Sequence, residues 1–330
     1  MVHPIWNDRP AVEQGLKSVK EIIKNELGST HPQVKDKILT YLNASGKYVR
    51  AGLTLMVGQA VDGQVKEAKL YFAASIEVLH LATLIHDDVL DEADTRRGIV
   101  AMHKTYSNRI AIYAGDYLLA YSTRLLKKGI ELLGVREEEK NLFSDRIVER
   151  ILAGELAQLF NQHRSDMRMK DYLKQIKGKT AFLFAFACQL GAWTVPANRP
   201  QMRAAFNAGQ AIGMAFQLSD DLLDYQVKKV DMGKPQLQDI QNGIYTAPLL
   251  FAMEENKGIR ELISRHEEKD WQHEELVQLE EWIAESSGYA RTEHLIAAYL
   301  AKSQIFLSKI PATESLSLNV FLEKVMGRRF

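Results

Sequence analysis

Residues 84–91 of the chain read LIHDDVLD, and residues 217–224 repeat the pattern as QLSDDLLD. The aspartates of each stretch closely follow a strongly apolar run, Leu79–Ile85 in the first case and Ala211–Leu218 in the second. Runs of this kind are typical of helices that are buried on most of their surface. The repeated pattern therefore predicts two core helices that both end in a cluster of aspartates.

Both clusters place carboxylates on one face of a helix. Asp87 and Asp91 are four residues apart, as are Asp220 and Asp224, so each pair projects from the same side. Carboxylates that emerge from a buried helix need hydrogen bonds or cations. Hard oxygen donors in this number suit Mg²⁺, which often completes its coordination with substrate phosphates. One cluster alone would be interpreted as a solvated helix end, whereas two predict helices that clamp one polyanionic ligand through shared metal ions.

The rest of the sequence favours an all-α fold. Apolar residues recur at helical spacing in Ala68–Asp88, Arg109–Leu133 and Glu137–Phe160, and alternating runs typical of strands are scarce. Breaks inferred mainly from glycine and proline leave roughly a dozen helices. Because no long polar linker divides the chain, we predict a single domain over residues 1–330, a layered helical bundle with Phe182–Leu190 as a central helix.

Composition argues against several classes of protein. The 330 residues carry 42 Lys and Arg against 42 Asp and Glu, so we expect no nucleic-acid binding. Cys188 is the only cysteine, which excludes an internal disulfide and fits a reducing compartment. The N-terminus lacks a secretory pattern, and the longest apolar stretch, near Thr180–Val195, is too short for a membrane span. We therefore expect a cytoplasmic protein.

Basic residues recur beside the helix breaks, where a polyphosphate ligand would need them. Arg96 and Arg97 precede Gly98 just after the first aspartate cluster, and the guanidinium fork matches phosphate oxygens. Lys47 and Arg50 stand three residues apart at a predicted helix start, where backbone N–H groups also favour an anion. Each pair alone could be an ordinary surface cluster, but their recurrence indicates an anion site.

Two further lysines and two histidines are candidates for the same site. Lys179 and Lys234 both follow a glycine near a helix break. His80 lies two helical turns before Asp87, so it is either a core residue or a phosphate ligand. His86, which adjoins the aspartates, could support them or be exposed.

Together these motifs carry a resemblance to the trans-isoprenyl diphosphate synthases over about residues 46–250. The segments that carry the resemblance are Gly46–Arg50, Leu84–Gly98, Lys179–Thr180, Gly213–Tyr225 and Gly233–Leu250. The resemblance implies an isoprenoid-synthase-type helical bundle around a central active-site cavity. It also implies a reaction in which an allylic diphosphate ionises with the help of Mg²⁺, isopentenyl diphosphate attacks the cation, and a proton is lost.

The resemblance further assigns roles to individual residues. The metal ligands, which would hold about three Mg²⁺ ions once substrate is bound, would be Asp87, Asp88, Asp91, Asp220, Asp221 and Asp224. The allylic diphosphate would be held by Arg96, Lys179 and Lys234. Isopentenyl diphosphate would be bound by Lys47, Arg50, His80 and Arg97. The catalytic set would comprise Asp87, Asp91, Lys179, Thr180, Gln217 and Asp220.

This chain departs from the family pattern near its first basic motif. The family usually has Gly-Lys-Arg-x-Arg-Pro, and here Tyr48 replaces the middle arginine and Ala51 the proline. Because Lys47 and Arg50 are retained, we expect activity, while the affinity for isopentenyl diphosphate stays open. The basic C-terminus, residues 327–330, could equally fold toward the site or fray.

Product length is predicted from the residues one helical turn before Asp87. Aromatic side chains at this level tend to stop chain growth early in the family, and here Ala82 and Thr83 are small. This favours a product in the hexaprenyl to octaprenyl range over geranylgeranyl or farnesyl diphosphate. Bulky residues of the Tyr113–Tyr121 helix could still close the tunnel farther down.

Three alternatives to an elongating enzyme fit the sequence less well. A terpene cyclase generally replaces the second aspartate cluster, which is intact here, and a non-catalytic partner subunit tends to lose one or both clusters. A carboxylate-rich storage bundle would need Glu-x-x-His pairs, and Glu155 lacks such a histidine. The resemblance implies a homodimer or a heteromer with a small partner subunit, and a membrane-seeking product.

Overall fold

The computed structural model describes residues 2–28, 30–44, 46–135, 139, 147–226, 237–266, 271–311 and 318–326. In this part of the chain the only strands are β1 (Thr95–Arg96) and β2 (Ile99–Val100), an antiparallel hairpin with Thr95 opposite Val100. The all-α prediction is therefore confirmed. The helices are α1 (Pro10–Glu26), α2 (Pro32–Asn43), α3 (Val49–Asp62), α4 (Glu67–Leu90), α5 (Met102–Thr105), α6 (Asn108–Leu133), α7 (Ile147–Asn161), α8 (Met169–Ile176), α9 (Phe182–Gly191), α10 (Arg199–Gln226), α11 (Gln238–Gln241), α12 (Ala247–Glu255), α13 (Lys257–Arg265), α14 (His273–Glu285), α15 (Gly288–Leu307) and α16 (Leu318–Met326).

These helices are more numerous than predicted because short ones, such as α5 and α11, carry too few residues for a periodicity signal. The predicted segments Ala68–Asp88 and Arg109–Leu133 lie within α4 and α6. Of the third segment, Glu137–Phe160, helix α7 begins at Ile147, whereas residues 137, 138 and 140–146 lie outside the described residues.

Two compact units make up the chain, and each is discontinuous in sequence. Unit 1 comprises residues 1–144, 186–207 and 306–325, and unit 2 comprises residues 145–185, 208–305 and 326–330. The single domain over residues 1–330 and its central cavity stay predictions.

Helix α4 is the core helix of unit 1. Helices α1, α3 and α6 pack on it, and α6 makes the most extensive contact. Glycines on α6 allow this approach, since a Cβ at Gly129 would lie 2.5 Å from the Phe72 ring. Among the described helices α4 alone is long and apolar enough to cross a membrane, but 78% of its apolar window is buried inside the protein. That burial is typical of a globular core helix.

A buried lysine connects α4 to the end of α9 within unit 1. The Lys69 ammonium donates to the carbonyl oxygens of Leu190, at 3.2 Å, and of Trp193, and it lies 3.8 Å from Asp62. Carbonyls at a helix end lack intrahelical partners, so Lys69 caps α9. Burial lowers the pKa of Lys69 to about 8, with Asp62 opposing the shift.

The apolar helix α9 is buried, as predicted. Cys188 is a free, fully buried thiol of the core, and burial raises its pKa to about 12.

In unit 2, the Lys177–Ala181 segment forms a single wide helical turn before α9. Close packing surrounds that turn. A Cβ at Gly154 of α7 would lie 2.5 Å from the backbone of Gly178, and one at Gly213 of α10 would lie 2.5 Å from Ala181. Helices α7 and α10 therefore approach the backbone on which Lys179 and Thr180 are carried.

Candidate active site

The first aspartate cluster lies at the C-terminal end of α4 in unit 1. Asp88 is buried, and its Oδ1 accepts two hydrogen bonds from Arg96, at 2.8 Å from Nε and 2.5 Å from Nη2. Burial raises the pKa of Asp88, and Arg96 opposes that shift. Asp87 is half-buried and Asp91 is exposed. The middle carboxylate is thus tied to an arginine, while the outer two lie nearer the surface.

The β1–β2 hairpin explains how the two adjacent arginines separate. Its turn residues Arg97 and Gly98 have φ values of 53° and 74°, the left-handed backbone that a tight two-residue hairpin requires. Arg96 points to Asp88, whereas the Arg97 guanidinium lies against Gly46, where a Cβ would be only 2.7 Å from Nη1. Arg96 therefore contacts the first aspartate cluster, and Arg97 contacts the basic motif.

The basic motif is held by both ends of unit 1. The Lys47 ammonium donates to the carbonyl of Val325 at 2.9 Å, and the Trp6 indole donates to the carbonyl of Lys47 at 2.6 Å. Trp6 is fully buried and packs on Phe321 of α16, with ring centroids 4.5 Å apart. The C-terminal helix thus ends beside Lys47, although residues 327–330 lie outside the described residues.

Tyr48 occupies its unusual position as a buried residue. It precedes α3 with a φ of 51°, and its hydroxyl donates to the Leu42 carbonyl at 2.7 Å. The Lys20 ammonium lies 4.7 Å from the centre of its ring, within range of a cation–π interaction. The tyrosine therefore brings a cation from α1 to the motif that lacks its middle arginine.

His80 contacts Arg50 rather than an aspartate. Its Nε2 lies 3.1 Å from Arg50 Nη1, and because a guanidinium only donates, the imidazole accepts. Burial, followed by Arg50, Arg97 and Arg96, holds the pKa of His80 well below its usual range. A neutral His80 orients Arg50 and adds no charge of its own to the site.

His86 turns toward α6 and not toward the aspartate side chains. Its Nε2 lies 3.2 Å from the Ile112 carbonyl and 3.3 Å from Asp116, and a Cβ at Gly115 would be 2.2 Å from it. The histidine is thus a packing residue between the two helices.

The second aspartate cluster lies on α10 in unit 2, and its middle member is again tied to protein groups. Asp221 is buried and accepts hydrogen bonds from the Tyr172 hydroxyl and from Gln217 Nε2, the latter at 2.7 Å. The Thr180 hydroxyl donates to Gln217 Oε1 at 2.6 Å. Burial raises the pKa of Asp221 to about 7, and the two hydrogen bonds oppose that shift. Thr180 and Gln217, predicted to lie at one centre, are brought together.

The outer carboxylates of this cluster, Asp220 and Asp224, are exposed, like Asp91 in unit 1. Lys179 forms an ion pair of 2.9 Å with Glu155 of α7. Lys234, the third predicted ligand of the allylic diphosphate, lies outside the described residues.

The outer carboxylates fit a metal that is shared with a ligand. Among the described residues, no three His, Cys, Asp or Glu side chains already converge to hold an ion. Asp87 with Asp91, and Asp220 with Asp224, nevertheless present pairs of hard oxygen donors on one helix face. Mg²⁺ keeps several waters and is bound by one or two carboxylates plus substrate phosphates, which is the coordination such pairs allow.

The predicted chain-length residues lie on the buried part of α4. Ala82 has no exposed surface, and the Thr83 hydroxyl donates to the His80 carbonyl at 2.9 Å.

Sequence reasoning missed three residues that organise these groups. Tyr172 supports Asp221, Trp6 supports Lys47, and Glu77 accepts a hydrogen bond from the Ala51 N–H group at 3.1 Å. An acidic residue within the apolar run of α4 was a usable signal for Glu77. Nothing local to Tyr172 or Trp6 indicated their partners, which are distant in sequence.

Two aspartate clusters on buried helices, each with basic residues in its own unit, are the arrangement expected of an enzyme that acts on diphosphates. A sequence profile of the family described as polyprenyl synthetase matches residues 31–280. The chain belongs to that family and is a prenyltransferase, as the motifs predicted.

Individual relatives extend over nearly the whole chain. The heptaprenyl diphosphate synthase component 2 of Geobacillus stearothermophilus is 32% identical over 314 residues, 95% of each chain. The crystal structure of heptaprenyl diphosphate synthase from Staphylococcus aureus has a TM-score of 0.86 at 30% identity, covering 96% of this chain and 98% of that one. A geranylgeranyl pyrophosphate synthase from Lactobacillus brevis has a TM-score of 0.85 at 28% identity, covering 98% and 99%. The isoprenoid-synthase-type fold is thus confirmed.

Proposed function

We propose that this prenyltransferase condenses isopentenyl diphosphate with an allylic diphosphate and releases an all-trans polyprenyl diphosphate of medium or long chain. The observation that carries the proposal is the pair of matching aspartate clusters. Each has its middle carboxylate tied to protein partners, Arg96 in one case and Tyr172 with Gln217 in the other. The outer carboxylates are left toward the surface, where a diphosphate and its metal ions would bind.

Two sets of basic residues would bind the two substrates. Arg96 and Lys179, with Lys234, would hold the allylic diphosphate, which gains negative charge as the C–O bond breaks. Lys47, Arg50 and Arg97 would bind isopentenyl diphosphate, with neutral His80 orienting Arg50. The isopentenyl double bond attacks the allylic cation, and the proton that is then lost goes to the departing diphosphate.

Mg²⁺ held by Asp87, Asp91, Asp220 and Asp224 would neutralise the charge that develops on the leaving group. Asp88 and Asp221 would support these ligands from within the protein. Glu155 holds Lys179 in place at 2.9 Å until the diphosphate arrives.

A medium or long chain is proposed because Ala82 and Thr83, one helical turn before Asp87, are small residues. The alternative is a shorter product, geranylgeranyl or farnesyl diphosphate, and the first of these is the product named for the similar Lactobacillus brevis enzyme. The name of the Geobacillus relative, a component 2, supports a heteromer with a small partner subunit, with a homodimer as the other assembly. We place the enzyme in the cytoplasm, with a membrane-seeking product.

The function is tested by incubating the protein with labelled isopentenyl diphosphate, Mg²⁺, and farnesyl or geranylgeranyl diphosphate as the primer. Chromatography of the dephosphorylated products should show a ladder that ends in a medium or long chain, and chelation of the metal should abolish it. No elongation by the folded protein, either alone or with a small partner subunit of a related synthase, would refute the proposal.

Paired variants test the assigned ligands. Asp87→Asn and Asp220→Asn should each lower the rate of elongation by at least about a hundredfold, since a missing carboxylate weakens the stabilisation of the leaving group. Glu281→Gln, a matched change at an exposed carboxylate of α14, should leave the rate unchanged. Equal rates in all three variants would remove the aspartates from the mechanism.

A further inference from the structure

A buried carboxylate lies among the basic residues of unit 1. Glu77, three residues before His80 on α4, is only 5% exposed, and its Oε1 accepts a hydrogen bond of 3.1 Å from the backbone N–H of Ala51. A buried carboxylate is costly unless it is hydrogen-bonded and paired with positive charge. Its surroundings therefore have to supply cations.

Three cations face this carboxylate from three different elements. Burial raises the pKa of Glu77, and that shift is opposed by Arg97 from the hairpin, by the Ala51 N–H group, by Arg50 from α3 and by Lys20 from α1. The first of them lies against Gly46 and the last over the Tyr48 ring. Three cations against one carboxylate leave an excess of positive charge, which an added diphosphate would balance.

The contact with Ala51 fixes the start of α3. Ala51 is the third residue of that helix, so its N–H group has no intrahelical acceptor. A carboxylate at this end also interacts favourably with the helix dipole. A proline, which the family usually has here, carries no N–H group, so the hydrogen bond to Glu77 depends on the alanine of this chain.

We propose that Glu77 is a positioning residue of the isopentenyl diphosphate site, which holds Arg50, Arg97 and the first turn of α3 in one arrangement. Without it the cations repel one another and the start of α3 loses its acceptor. With it they stay close together and still carry a net positive charge. This inference rests on the proposed function, because it assigns a partner to the residues that bind one substrate.

The test compares the KM values for the two substrates in Glu77→Gln. Glutamine keeps the size of the side chain and an oxygen for the Ala51 N–H group, so it removes only the charge. The KM for isopentenyl diphosphate should rise by about tenfold to a hundredfold, the range of one hydrogen bond to a charged group, while the KM for the allylic substrate stays within about twofold. Glu67→Gln, at the exposed start of the same helix, is the matched control and should change neither.

Ala51→Pro gives an independent measurement if Glu77→Gln folds poorly. Proline is tolerated in the first turn of a helix, so this variant loses the N–H donor and keeps the carboxylate. It should also raise the KM for isopentenyl diphosphate, and the effect should be less than additive in the double variant. A lower melting temperature with unchanged KM values, or equal increases in both KM values, would overturn the positioning role.

Calorimetric titration of isopentenyl diphosphate without metal separates this inference from the proposed function. A wild type that binds the ligand but does not elongate it would refute the function alone. The positioning role would then be judged by whether Glu77→Gln weakens binding by about tenfold or more. Equal binding by wild type and variant, or no binding by wild type, would overturn it.

Discussion

Replacing Tyr172 with phenylalanine removes one hydroxyl from the support of the second aspartate cluster. The hydroxyl donates to Asp221, and both residues are buried, at 1% and 6% exposure. Gln217 would remain as a donor to the carboxylate, at 2.7 Å. No other atom of the ring changes, so the perturbation is confined to one hydrogen bond.

The expected magnitude follows from the burial of the pair. Above pH 7, where most of Asp221 is ionised, a hydrogen bond to its carboxylate contributes about 1.5–3 kcal/mol, and water cannot readily replace the hydroxyl at a buried oxygen. The free energy of unfolding should fall by about that amount. Because Asp221 adjoins the predicted ligand Asp220, the Mg²⁺ concentration that gives half-maximal elongation should rise, by about tenfold or more.

The assay combines thermal unfolding with initial rates of elongation over a range of Mg²⁺ concentrations. Tyr121→Phe is the matched control, because its buried hydroxyl donates to the Ile23 carbonyl at 2.7 Å and forms a neutral hydrogen bond away from both aspartate clusters. That variant should lose only about 0.5–1.5 kcal/mol of stability and keep the Mg²⁺ dependence of the wild type. If both tyrosine variants showed the same Mg²⁺ dependence, the support of Asp221 by Tyr172 would play no part in metal binding.

Three further substitutions test buried positions of unit 1. The pKa of Lys69 is lowered to about 8 from 10.5, so between these pH values Lys69 is neutral in the folded protein and still protonated in the unfolded chain. The free energy of unfolding of the wild type should therefore rise by up to about 3 kcal/mol between pH 8 and pH 10.5. Denaturant unfolding of Lys69→Met should show no such rise, and a rise retained in the variant would contradict the lowered pKa of Lys69. Gly129→Ala places a Cβ 2.5 Å from the buried Phe72 ring and 3.2 Å from the Ala68 carbonyl, so it should cost about 1–3 kcal/mol in the same unfolding measurement, and an unchanged midpoint would refute this packing. Ala82→Phe should shorten the product on chromatography, with melting temperature as the control for overpacking, and an unaltered product length would remove Ala82 from chain-length control.

The helical class and the aspartate clusters were predictable because their signals are local. Helical periodicity in Ala68–Asp88 reflects a face buried along the whole of α4, and it is read from consecutive residues. The four-residue spacing of Asp87 and Asp91 likewise determines a shared helix face. Neither conclusion needs knowledge of what packs against the helix.

Which aspartate of each cluster is buried against a protein partner could not be predicted from spacing. Asp87 and Asp88 look equivalent in sequence, yet only Asp88 is buried against Arg96, because the hairpin turn at Arg97 and Gly98 folds back onto α4. The neutral state of His80 could not be predicted from the sequence either. It depends on burial and on three arginines, and their approach is decided by packing.

The sequence by itself thus determined that this protein is an all-α enzyme with two acidic helix ends and the basic residues of a diphosphate-binding family. Only the tertiary structure decided which of those residues are tied to one another. It paired Asp221 with Tyr172, Lys47 with Val325, and Glu77 with the start of α3. The physical reason is that helical periodicity records only that a residue is buried, whereas a hydrogen-bond partner far away in the chain is selected by how the helices pack.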